Sequence, residues 1–282
     1  MRSRTIRLSV AVVLSVLGVG LASSATSTVR DPGSHARYVF RPAAGSAPFP
    51  ACPSYGVIGS RGSGETPLSP HWDLGLGPPG YAFAVAFGRL LPGVEYTDNA
   101  PPGYPAVRAI DMVVNKERYI SSVLAGEVQL RKLVRAEQRR CSSTRLILVG
   151  YSQGAEVTGD AYLAALGNKS LFKSVVGVVL FGDPLYNHSD ASAIQTALQR
   201  RTQAALARNG VLTDFGPLYV GAPHSFPRST VGRVVSYCIS NDPICQGAIG
   251  NLIAYGDHWL YTDLGEPEDA AEYFARRAGA GP

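Results

Sequence analysis

Seven consecutive residues, Val175-Val176-Gly177-Val178-Val179-Leu180-Phe181, offer no polar side chain. A strand with one wet face alternates apolar with polar residues, so an unbroken run marks a strand covered on both faces. Such a sheet has helices above and below it, and the rest of the chain fits that demand. Apolar runs bounded by turn residues predict strands over 55–60, 93–97, 145–151 and 232–238, with the seven-residue run inside a strand at 174–183. Helical patterns fall between strands, at about 116–140 and at 153–166. In the longer one, Ile120, Val123, Leu124, Leu130, Leu133 and Val134 share one broad face, and the Arg and Lys residues form a solvated one. A last helix is expected to start near Asp263, with Pro267 in its first turn. Strands alternating with helices imply a parallel α/β sheet with helices on both faces. At 282 residues, 45% apolar and 17% charged, the chain can bury such a core and is no disordered polyelectrolyte.

The net charge of +5 is confined to the start of the chain. Residues 1–41 hold six basic groups (Arg2, Arg4, Arg7, Arg30, Arg37, Arg41) against Asp31, leaving 20 basic and 20 acidic groups from residue 42 onward. A neutral body has no electrostatic footing for nucleic acid, so no nucleic-acid partner is expected. The N-terminus instead has the order of a secretory signal peptide: Arg2, Arg4 and Arg7, an apolar run over 8–22, then Ser23, Ser24 and Ala25. Cleavage is expected after Ala25. The alternative is an uncleaved anchor, for which the run falls short of the roughly 20 residues that span a bilayer. Residues 26–50, rich in Ser, Pro, Ala and Gly, read as a linker, leaving 51–282 as the folded domain. The expected location is outside the cell, free or associated with its envelope.

Export changes the meaning of the four cysteines, which should then pair. Cys52, Cys141, Cys238 and Cys245 contain no CxxC and match no zinc-site spacing. Three connectivities are open. Cys238 and Cys245 are near enough to close a small loop, and Cys52 and Cys141 each precede a predicted strand. If those strands are parallel neighbours, both cysteines lie at one sheet edge, which favours Cys52–Cys141 with Cys238–Cys245.

The residues that carry chemistry begin at Gly150-Tyr151-Ser152-Gln153-Gly154, a G-x-S-x-G pentapeptide between a predicted strand and a predicted helix. A sharp turn there lifts a serine hydroxyl out at the carboxyl end of the sheet, and the helix N-terminus favours negative charge developing beside it. Ser152 is therefore the expected nucleophile. A serine hydroxyl needs a base, and in this fold type the order is Ser, acid, His. His188, His224 and His258 follow Ser152. His258 is assigned as base, being last, and Asp242 as its orienting acid, because the Cys238–Cys245 loop would fix it. Asp257 is the rival acid, and Asp183 is expected to be a turn or cap residue. The Gln153 backbone N–H should serve the oxyanion, with a second donor from the glycine-rich segment 59–65. That segment has neither G-x-G-x-x-G nor a G-K-[ST] ending, which disfavours a phosphate cradle.

These motifs together give the sequence a specific likeness. It resembles the cutinase family of serine esterases, in particular cutinase-like proteins exported by actinobacteria. The matching residues are Arg61-Gly62-Ser63-Gly64-Glu65, Tyr104-Pro105-Ala106, Gly150-Tyr151-Ser152-Gln153-Gly154-Ala155, Phe181-Gly182-Asp183-Pro184, Cys238 with Asp242-Pro243-Ile244-Cys245, and His258 with Tyr261. The resemblance covers most of 52–275. It implies an α/β-hydrolase three-layer sandwich with a central five-stranded parallel sheet, a Ser152–Asp242–His258 triad, an oxyanion hole from Ser63 and Gln153, and the two disulfides above. No metal or cofactor is expected, the expected substrate is an ester or lipid, and the expected form is a monomer in transient association with a lipid surface or cell envelope. The scaffold also suits a phospholipase, a triacylglycerol lipase or an acetyl-sugar esterase, and a non-catalytic cell-wall or lipid-binding protein is the rival from another class. A peptidase is disfavoured, since no side-chain specificity pocket is recognisable. One departure stands out: 187–231 is longer than a compact cutinase needs, with a helical pattern at about 189–209 and a Pro-rich return. It is a candidate lid, an extension of the acyl groove, or a surface helix on the sheet flank.

Overall fold

Six parallel strands make one sheet in the order β2-β1-β3-β4-β6-β5. They are β1 (Tyr55–Ser60), β2 (Glu95–Asp98), β3 (Arg145–Tyr151), β4 (Val175–Phe181), β5 (Ala193–Gln195) and β6 (Val234–Cys238). The helices are α1 (Pro78–Leu90), α2 (Asp111–Val114), α3 (Lys116–Arg140), α4 (Gln153–Leu166), α5 (Tyr261–Leu264) and α6 (Glu266–Arg277). The structure is a computed structural model, and it describes residues 52–66, 73–91, 93–98, 103–167, 173–195, 208–213, 222–240, 242–247 and 255–279. The chain divides into residues 1–35 and 36–282, and all described residues belong to the second unit. The expected signal segment and linker lie outside the described residues.

Alternation along each strand builds the three layers. Leu146 and Leu148 of β3, with Val178 and Leu180 of β4, face a core shared with α3 and α4. Their neighbours Ile147, Val149, Val179 and Phe181 face the opposite core, shared with α1 and α6. Both faces of the central strands are dry, as an unbroken apolar run demands. On α3, Val123, Leu130 and Val134 are buried as expected, but Leu124 is 54% exposed. It lies in the wall of an open recess between α3 and α4.

Three expectations need correction. The sheet has a sixth strand, because Ala193–Gln195 pairs with the outer edge of β6. This short segment falls inside the expected helix at 189–209: residues 188–192 are turn and bend, 193–195 are strand, and 196–207 lie outside the described residues. Covering an otherwise open edge wins over local helical preference. The last helix also starts later than Asp263. Gly265, at φ 81°, separates α5 from α6, and Pro267 sits in the first turn of α6.

Both disulfides form as the favoured pairing has them, Cys52–Cys141 with Cα atoms 5.4 Å apart and Cys238–Cys245 at 5.8 Å. The first links the entries of neighbouring β1 and β3. Closing its 89-residue span is worth on the order of 4 kcal/mol in the chain-entropy model. Among the described residues, no helix is long and apolar enough to cross a membrane.

Candidate active site

The turn from β3 into α4 is strained at one residue. Ser152 has φ 54° and ψ −123°, a backbone conformation that L-residues rarely adopt. Its N–H is held by the Phe181 carbonyl at 2.9 Å, which ties the turn to the end of β4. The glycine that follows makes the turn possible. A Cβ on Gly154 would collide with the carbonyl oxygens of Ser60 and Arg61, so only glycine lets α4 press its first turn onto the end of β1. This close approach brings segment 61–65, with Ser63, beside the turn. Gln153 opens α4, so its N–H has no acceptor within the helix.

His258 and Asp242 meet next to that turn. Both Asp242 carboxylate oxygens lie within reach of His258 Nδ1, at 2.9 and 3.0 Å. Asp242 Oδ2 also accepts from the Tyr261 hydroxyl at 2.6 Å, and Oδ1 from the Ile244 N–H at 2.8 Å. The Cys238–Cys245 bridge closes the turn that presents this carboxylate. A carboxylate only accepts, so in the neutral imidazole the proton sits on Nδ1 and Nε2 is left as the acceptor. Among the described residues, none hydrogen-bonds His258 Nε2, which is buried. The ring is placed by Tyr151, the residue before Ser152, which stacks on it at 5.0 Å and donates from its hydroxyl to the His258 carbonyl at 2.9 Å. It also fills the space above Gly182, whose missing Cβ would lie 2.6 Å from His258 Cε1. Ser152 and His258 are 7% and 3% exposed.

Segment 61–65 is braced at both ends. Arg61, 1% exposed, donates to the carbonyls of Glu65 (2.8 Å) and Tyr104 (2.7 Å), and the Tyr104 hydroxyl donates back to the Arg61 carbonyl at 2.9 Å. Glu65 Oε2 accepts the Gly62 N–H at 2.6 Å, and the Gly64 N–H reaches the Ala106 carbonyl at 2.7 Å. Burial pushes the Glu65 carboxyl up to about 7, against the pull of that Gly62 bond. Spacing alone gave no hint of the Glu65 bond, which needs the folded loop.

The remaining candidates sit elsewhere. His188 bonds Asn209 and Ser189 at the surface. Asp257, next to His258 in sequence, is half-buried and makes no hydrogen bond to it. Asp183 caps a turn as expected, through Leu185 N–H at 2.9 Å, but it does more: its Oδ2 meets His224 Nδ1 at 2.6 Å. His224 Nε2 meets Asp160 Oδ1 at 3.2 Å. Burial would push this imidazole down, but the two carboxylates outweigh it and raise it to about 10. The return of the long insertion is thereby latched to α4, where its residues 222–225 help wall a recess of about 410 Å³ between α3 and α4. No cluster of His, Cys, Asp or Glu among the described residues is arranged to hold a metal ion.

The parallel sheet, the strained serine turn at its carboxyl edge and the flanking helix layers define an α/β hydrolase. Within that class, the Cutinase family model matches residues 51–278, and the chain belongs to the cutinase family. It is a carboxylic-ester hydrolase. It is 28% identical over 226 residues to Carboxylesterase Culp1 of Mycobacterium tuberculosis, a match spanning 80% of this chain and 82% of the relative. It is 30% identical to a Cutinase of Kineococcus radiotolerans, over 79% of this chain and 61% of that protein. In fold it is similar to a cutinase-like protein from Cryptococcus sp., with a TM-score of 0.61 at 20% identity, covering 84% of this chain and all of that one.

Proposed function

We propose that the chain is an exported serine esterase that cleaves lipid or polyester ester bonds through an acyl-enzyme on Ser152. The observation that carries this reading is the orphaned Nε2 of His258, buried and poised as an acceptor while Nδ1 is tied to Asp242. In the first step Nε2 takes the Ser152 Oγ proton as Oγ attacks the ester carbonyl carbon. The oxyanion gains the Gln153 N–H and Ser63 as donors. Collapse of the tetrahedral intermediate breaks the bond to the alcohol oxygen, which leaves with the proton from Nε2. Water then attacks the acyl carbon, gives its proton to Nε2, and the acid departs as the proton returns to Ser152 Oγ. Asp242 stays ionised throughout and stabilises the imidazolium.

The two disulfides favour an oxidising compartment, in keeping with the signal-like N-terminus. A lone domain meeting a lipid surface or cell envelope in passing is the expected form. An acetyl-sugar esterase is the second reading, favoured by 26% identity to Acetylxylan esterase 2 of Talaromyces purpureogenus. The test is Ser152→Ala against p-nitrophenyl esters from C2 to C16. Loss of hydrolysis with an unchanged melting curve is expected, and substantial residual activity refutes the assignment. A wild-type preference for C2 alone selects the acetyl-esterase reading.

A further inference from the structure

Because every strand is parallel, the edge opposite the serine turn gathers all the strand entries. Three neighbouring strands enter there beside a cation: Arg145 opens β3, Lys173 precedes β4 by two residues, and Arg233 directly precedes β6. Arg277, the last residue of α6, reaches the same edge, where a Cβ on Gly232 would lie 3.0 Å from its Nη2. All four side chains line one recess of about 250 Å³, with Phe274 and Val176 in its wall. An adjoining recess of about 380 Å³ shares Arg145 and Lys173 and adds the hydroxyl residues Ser142, Ser143, Thr144 and Ser174.

Among the described residues, no acidic one lines either recess. Among the described residues, none of the four cations is ion-paired with a carboxylate. Two are steadied by rings instead: Arg145 lies over Tyr55 at 4.2 Å and Arg277 over Tyr273 at 5.6 Å. Arg233 bonds Tyr162. The domain as a whole is balanced, so four like charges around one hollow are not a by-product of composition. Like charges held together repel, and an anion between them removes that cost. Guanidinium forks, an ammonium and nearby hydroxyls are the donor set that oxyanions with several acceptor oxygens take.

We propose that this recess binds a phosphate-class oxyanion, free or as the headgroup of an anionic lipid. It lies at the pole opposite Ser152, so a protein held there keeps its reactive serine turned away from the anchoring surface.

The test titrates inorganic phosphate into the full domain at low ionic strength, following the arginine side-chain NMR signals, with chloride at equal ionic strength as control. Saturable shifts of Arg145, Arg233 and Arg277 are expected with phosphate only. The double variant K173Q/R233Q should weaken that binding by about tenfold or more. All four side chains are exposed, so the variants should keep the wild-type melting curve; K173Q alone serves if the pair does not fold. Co-sedimentation with vesicles of equal phosphatidylglycerol and phosphatidylcholine, against phosphatidylcholine alone, separates the sources. Phosphate saturation without pelleting assigns a free anion, and both together assign a headgroup. Shifts that chloride reproduces, or that persist unchanged in the variant, overturn the proposal.

Discussion

Replacing His224 by Gln should flatten the fall in stability that the natural chain shows on going from neutral to alkaline pH. The imidazole is 2% exposed and sits between Asp183 at 2.6 Å and Asp160 at 3.2 Å, which raise it from 6.5 to about 10. In the unfolded chain it titrates near its ordinary value. Between those two limits the folded state holds a proton that the unfolded state has released, so stability declines as pH rises. The pair's contribution is complete below pH 6.5 and gone above about 10. At about 1.4 kcal/mol per pH unit, the decline between pH 6.5 and about pH 9.5 is roughly 4 kcal/mol. The assay is urea unfolding of both proteins at the two pH values with disulfides intact. Subtracting one protein from the other cancels every group they share. The wild-type advantage should shrink by roughly that amount. A gap equal at both pH values refutes the reasoning. Asp160→Asn is the milder companion: one carboxylate remains, so the decline should begin at lower pH.

Glu65→Gln should move the acid limb of the kcat/KM profile to lower pH by a few tenths of a unit or more. Glu65 ionises near 7 and faces His258, Tyr151, Tyr104, Asp73 and its own neighbour Arg61. Its negative charge favours the imidazolium, and the amide removes that charge while still accepting from Gly62. An acid limb that stays put contradicts the coupling. Tyr261→Phe removes the 2.6 Å bond to the buried Asp242 carboxylate, and should lower kcat by about tenfold to a hundredfold with little change in KM. Steady-state kinetics on a p-nitrophenyl ester decide it, and an unchanged kcat would mean that Tyr261 only packs.

The parts of the fold set by local pattern were legible before the structure. β1, β3, α3 and α4 run where periodicity and turn residues put them, because each carries its own apolar face and its own stop signals. β5 was not legible: three residues are too few to show a period, and only the open edge of β6 makes them a strand. The start of α6 was missed for a different reason. Asp263 has the chemistry of a cap, yet Gly265 in the left-handed region is what divides the chain there. In the proposed site, order along the chain and the Cys238–Cys245 loop nominated Ser152, His258 and Asp242, and the structure joins the last two. The His224–Asp183 pair could not be named in this way, since 41 residues separate its members and no local signature joins them. Glu65 was visible only as part of a matching motif; its bond to Gly62 appears once the loop is folded against Gly77 and Tyr151.

The relay is tested most directly by its product. The protein is incubated with a fluorophosphonate at neutral pH, weighed intact, then digested and mapped. One covalent adduct, carried by Ser152 and lost in His258→Ala, is the expected result. No adduct, or an adduct on another residue, contradicts a proton path from Ser152 through His258 to Asp242.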